Sequence, residues 1–71
     1  MTLGQRVGEL RHQKGWTQGV LANFAVTATP VISDVEKEKR RPTLGTIYRI
    51  ARAFSITLSE LFEGVDTVAN S

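Results

Sequence analysis

Cysteine is absent from the 71 residues, which excludes disulfide crosslinks, thiolate catalysis and cysteine-ligated metal sites. His12 is the only histidine, and one imidazole does not assemble a metal site alone. No nucleophile–base pair, no paired carboxylates with a catalytic role and no phosphate-binding glycine loop are present. The expectation is therefore a protein that is not an enzyme and needs no cofactor or metal. No apolar run approaches the ~20 residues required to span a bilayer. The N-terminus lacks the charged region, apolar stretch and cleavage pattern of a secretory signal, so a cytoplasmic location is expected.

What remains is one small domain with a modest core. Positive charge is concentrated in its body. Residues 1–59 carry all nine Lys and Arg against Glu9, Asp34, Glu36 and Glu38, a balance of +5. Residues 60–71 carry Glu60, Glu63 and Asp66, a balance of −3. A basic body suits a polyanionic ligand.

Apolar spacing and start signals predict five helices and no strands, an all-α fold. The first runs from about Leu3 to Lys14, with Val7 and Leu10 inward, Thr2 as its cap and Gly15 as its stop. Gly4 and Gly8 weaken it, each by ~1 kcal/mol relative to alanine. The second covers about Thr17 to Phe24, and the third about Pro30 to Lys37. Residues 38–42 form a basic loop closed by Pro42. Thr43 then caps a fourth helix, about Leu44 to Phe54, with Leu44, Ile47, Ile50, Ala51 and Phe54 at helical spacing. Thr57 and Glu60 form a capping box for the fifth, whose apolar face is Leu58, Leu61 and Phe62. Residues 1–63 make the domain, and 64–71 have so little to bury that a mobile tail is expected.

The stretch from Thr17 to Glu36 carries the most information. It holds two short helices joined by a tight turn. Thr17 is the expected cap of one and Thr29 of the other, with Pro30 at its first helical position. Leu21, Ala22 and Ala25 face Ile32 and Val35. Helices this short do not stand alone and must cross steeply, the helix-turn-helix geometry that offers the second helix to a DNA major groove.

Four segments in order extend this pattern: LGQRVGELRHQKGWTQ, then LA followed by ISDVE, KEKRRPT and RIARAFSITLSELF. Together they resemble the Cro/cI/Xre-type (lambda-repressor-like) helix-turn-helix domain over about residues 3–62. The resemblance implies a compact five-helix DNA-binding fold with the motif at the second and third helices. It implies that Gln18 contacts a phosphate and braces the recognition helix. Thr29, Pro30, Val31, Ser33 and Asp34 occupy the outward positions that read bases or neighbouring phosphates, and Lys37, Lys39, Arg40 and Arg41 belong to the basic run gripping the backbone. Arg11 and Glu36 sit where relatives place a buried ion pair between the first and third helices.

Two departures stand out. The outward face of the third helix carries no long donor, whereas relatives use Arg, Gln, Lys or Asn to reach base edges. Asp34 only accepts hydrogen bonds, so it either meets a base donor such as cytosine N4 or is repelled by phosphates. On the second helix, Val20 and Phe24 form an apolar stripe where relatives are polar. That stripe is either a protein contact or is covered by Trp16 and Val26. Arg6, Arg11, His12 and Lys14 form a second basic group, while Arg49 and Arg52 lie on the outer face of the fourth helix. Tyr48, Leu58 and Phe62 are the candidate dimer contact.

The function expected from these features is a sequence-specific DNA-binding transcriptional regulator, a repressor acting as a homodimer on an inverted repeat. Two alternatives share the fold. One is a DNA-binding antitoxin that holds a partner through Val20 and Phe24; the other is a protein-interaction module with weakened DNA binding.

Overall fold

Threonine opens four helices in the computed structural model, which describes residues 1–66. Thr2, Thr17, Thr43 and Thr57 each accept a hydrogen bond from the backbone N–H three residues on, satisfying donors that have no intrahelical partner. Gln5 and Glu60 return the bond to Thr2 and Thr57, completing two capping boxes. The helices are α1 Leu3–Gln13, α2 Gln18–Phe24, α3 Thr29–Lys37, α4 Leu44–Ala53 and α5 Leu58–Leu61, with no strand among the described residues.

Helix α3 is the exception at its start. Its cap is Ala28, which makes no side-chain cap bond, so Thr29 is the first helical residue and Pro30 the second. The expected Thr29 cap is thus displaced by one residue. Of the first-turn N–H groups only that of Val31 reaches back, to the Ala28 carbonyl at 3.0 Å. An N–H at position 30 would have no intrahelical acceptor, so proline costs as little at the second position as at the first.

Four of the five helices end with one device. Gly15, Val26, Glu38 and Ser55 all adopt left-handed backbone, with φ of 71°, 55°, 59° and 58°. After each, a backbone N–H reaches back across the last turn: Trp16 to Arg11, Thr27 to Ala22, Lys39 to Asp34 and Ile56 to Ala51, at 2.9–3.1 Å. This is the Schellman closure, for which glycine is the usual residue. Only Gly15 advertises it in the sequence.

The core is built from Leu3 and Val7 of α1, Leu21, Ala22 and Ala25 from α2 and its end, and Ile32 and Val35 of α3. Ile47, Ile50, Ala51 and Phe54 from α4 and its end, with Leu61 of α5, complete it. Leu10, Trp16, Leu58 and Phe62 pack on its edge. Leu44, expected on the inner face of α4, is 72% exposed because it lies one turn beyond the edge of the core. The first residues of the expected tail are held. Val65 packs on the core, the Asp66 N–H donates to the Met1 carbonyl, and the Met1 ammonium donates to the Gly64 carbonyl. Residues 67–71 lie outside the described range.

Two contacts set α3 against α1. At Gly4 a Cβ would stand 2.5 Å from the Val35 carbonyl oxygen and 2.8 Å from that of Glu36. The glycine that weakens α1 is thus what lets the two helices meet. Beside it, the Thr2 hydroxyl donates to Glu38 at 2.6 Å.

The second contact centres on Glu36. Its carboxylate takes Arg11 Nε at 2.7 Å and Nη2 at 3.0 Å, while Arg11 Nη1 donates to the Trp16 carbonyl at 2.8 Å. Gln18 Nε2 donates to the same carboxylate at 3.2 Å. The pair is largely buried, with 12% and 11% of the two side chains exposed. The hydrogen bond from Arg11 to Glu36 raises the guanidinium further above its already high value, so it stays charged.

Three outcomes follow from this framework. Gly4→Ala should destabilise the domain by about 2 kcal/mol in urea unfolding, because the clash outweighs the gain in helix propensity. Glu36→Ala should cost about 3 kcal/mol by the same measurement, since it strands a largely buried guanidinium. The third concerns Glu60, whose carboxyl is lowered by bonds from the Thr57 backbone and then its side chain. Its contribution is full above the unfolded glutamate value and is lost as pH falls through the lower folded value. An NMR titration of the Glu60 carboxyl carbon should place the midpoint below 4.5, and Glu60→Gln should keep the box while removing this pH dependence.

Candidate nucleic-acid interface

Helix α3 is fixed from behind by Glu36, Ile32 and Val35, which leaves its other side to solvent. Thr29 and Pro30 are exposed at its start; Val31, Ser33 and Asp34 are half-buried along it. Lys37 is exposed on its last turn, and Lys39, Arg40 and Arg41 are exposed in the loop that follows. The residues placed at the interface by sequence are therefore contiguous, running from the start of α3 into the basic loop. Gln18 joins them at the start of α2, half-buried and tied to Glu36.

The pattern of local partners differs from what residue types alone suggest. Arg40 Nη2 lies 3.1 Å from Asp34 Oδ2, so the loop arginine folds back onto α3. Arg40 and Arg41 also flank a shallow cleft of about 170 Å³ whose other walls include Val31 of α3, Thr43 at the cap of α4 and Thr46 within it. Thr27, Thr43 and Thr46 border this face; of the three, the sequence reading singles out only Thr43, and only as a helix cap. Thr43 caps α4 and also donates its hydroxyl to Thr46 at 3.0 Å.

The other basic residues have structural partners. Arg6 donates to the Leu61 carbonyl at 3.3 Å and the Glu60 carbonyl at 2.9 Å, closing the end of α5, and pairs with Glu9. Arg49 reaches the Val26 carbonyl at 3.5 Å, and Arg52 lies over the Tyr48 ring at 5.9 Å.

The apolar stripe on α2 is covered on one side only. Trp16 stacks on Phe24 with ring centroids 4.8 Å apart and on Phe54 at 5.6 Å, so it bridges the stripe to the core. Phe24 nevertheless remains 58% exposed, and Val26 turns outward at 76% instead of folding over it. Val26 sits in the left-handed turn that closes α2, beyond the last helical residue Phe24. Phe24, Ala25, Val26, Tyr48, Arg49 and Arg52 line an open groove of about 470 Å³. Tyr48 therefore shares a groove with Phe24, whereas Leu58 and Phe62, grouped with it as a dimer contact, pack against the core.

Comparison with known proteins agrees with this geometry. A Helix-turn-helix family model matches residues 7–61. The chain is similar to the HTH-type transcriptional regulator DdrOP3 of Deinococcus deserti, 35% identical over 66 residues, covering 93% of this chain and 51% of that protein. It is also similar to the immunity repressor protein of Bacillus phage phi105, 33% identical over 61 residues, covering 86% of this chain and 42% of the repressor. The chain thus spans about half the length of these curated relatives. Among solved structures, the restriction-modification controller protein C.AhdI of Aeromonas hydrophila superposes with a TM-score of 0.81 at 37% identity, covering 84% of this chain and 91% of that one. No helix among the described residues is long and apolar enough to cross a membrane. The chain belongs to the Cro/cI-type helix-turn-helix family of DNA-binding transcriptional regulators.

Proposed function

We propose that this regulator is a repressor that binds an inverted-repeat operator as a homodimer. The observation that carries the reading is the continuity between the exposed face of α3 and the basic residues Lys37, Lys39, Arg40 and Arg41 directly beyond it. A helix entering the major groove from this side brings that loop to the flanking phosphates. Lys37, Lys39 and Arg41, with Gln18 at the start of α2, supply the affinity that is independent of sequence. Thr29, Pro30, Val31, Ser33 and Asp34 face the base edges, where the Val31 and Thr29 methyl groups suit thymine methyls. With so few direct donors, DNA shape supplies part of the specificity. One domain of this size makes too few contacts for specific affinity at physiological salt, so a second copy is required. The repression itself is supported by kinship with the phage immunity repressor.

A second reading, attachment of another protein through Val20 and Phe24, is favoured by the groove in which Phe24 and Tyr48 stand half open. It is compatible with DNA binding, since that groove involves α2 and α4 and no residue of α3.

Selection of bound sequences from random duplex DNA should return a palindromic motif with half-sites about one helical turn apart. On that motif, the log–log salt dependence should be steep, and Lys39→Ala should lower its slope by about 0.9. Recovery of no motif, together with salt-independent binding, would exclude the DNA-binding reading and leave the protein-interaction module.

A further inference from the structure

We propose that Arg40, which lies outside the recognition helix, is the base-reading donor missing from α3 between Thr29 and Glu36, held in place by Asp34 and directed at a guanine. The inference rests on the DNA-binding reading above and assigns Arg40 a role distinct from the phosphate contacts of its neighbours.

Two oddities of the surface resolve together. Ahead of Lys37 on its last turn, helix α3 presents no long donor, and its half-buried carboxylate at Asp34 would on its own be repelled by DNA. In the structure these are parts of one arrangement. The Asp34 carbonyl accepts from the Lys39 N–H at 2.9 Å, turning the chain back over the last turn of α3. The Asp34 carboxylate then takes Arg40 Nη2 at 3.1 Å. Backbone and side chain of one residue thus bring the arginine alongside α3, where it shares a cleft wall with Val31 one turn earlier.

The chemistry of the pair suits reading better than gripping. A guanidinium has five N–H donors, and one bond to Asp34 leaves donors on both terminal nitrogens. Those two nitrogens form the fork that matches guanine O6 and N7 in the major groove. The Arg40 side chain is 62% exposed and Asp34 28%, so the carboxylate is the anchored partner and the fork is presented to solvent. An ion pair this exposed adds little to stability, so what it contributes is direction. The pair is also close to neutral overall, which blunts the pull of Arg40 on phosphates.

The test is the same selection from random duplex DNA, performed on the wild type, Arg40→Lys, Asp34→Ala and the double variant. Thermal melting confirms that each remains folded. The wild type should prefer guanine at one half-site position by roughly 5- to 150-fold, the range of a bidentate contact. Arg40→Lys keeps the charge but removes the fork and should erase that preference. Asp34→Ala should erase the same preference, and the double variant should be no worse than either single one. Arg40→Ala should lower the salt slope by less than Lys39→Ala does. If Arg40→Lys retains the guanine, or if Arg40→Ala weakens all sequences alike with a slope loss of about 0.9, Arg40 is a phosphate contact and the inference is overturned. That result leaves the DNA-binding reading intact, because the wild type still yields its motif. A wild type that yields no motif overturns both.

Discussion

The Glu36 carboxylate is the interaction on which the rest of the molecule depends. Three elements converge on it: the end of α1 through Arg11, the following turn through the bond from Arg11 to the Trp16 carbonyl, and the start of α2 through Gln18. A nine-residue helix such as α3 has no stability of its own and takes its orientation from what it is packed against. Hydrophobic contacts at Ile32 and Val35 hold it in place, but apolar packing is poorly directional. The forked arginine–carboxylate pair supplies the missing direction.

This arrangement separates two electrostatic jobs. The pair behind α3 is mostly shielded from solvent and is weakly screened by salt. The charges of Lys37, Lys39 and Arg40 in front of it are exposed and strongly screened. Ionic strength therefore acts on the attraction for a polyanion while leaving the orientation of the presented helix unchanged. Glu38 works in the same direction, since its bond from Thr2 fixes the point where α3 hands over to the basic loop.

Much of this was legible in the sequence, for identifiable reasons. Threonine caps, capping boxes and apolar spacing are local signals, and they located all five helices to within a residue or two. The Arg11–Glu36 pair was legible only through family resemblance, because nothing local joins residues 25 positions apart. The start of α3 was misplaced because threonine before proline is a good cap sequence, and only the chain path shows that Ala28 takes that position. Leu44 followed the helical stripe but lay past the rim of the core, a boundary that periodicity does not mark. The bond of Arg40 to Asp34 was invisible, since each residue alone has an ordinary surface explanation. Val26 gave no signal at all, because a β-branched residue is the least expected choice for left-handed backbone.

That last feature reaches beyond its own turn. Three of the four Schellman closures are made by Val26, Glu38 and Ser55, residues that disfavour the conformation they occupy. The energy that keeps them there comes from helices already assembled around the core, not from the turns themselves. A fragment holding only α2 and α3 would have no reason to turn at Val26. The motif that identifies this protein is thus a property of the whole domain, and it should appear and vanish with the whole in one cooperative transition.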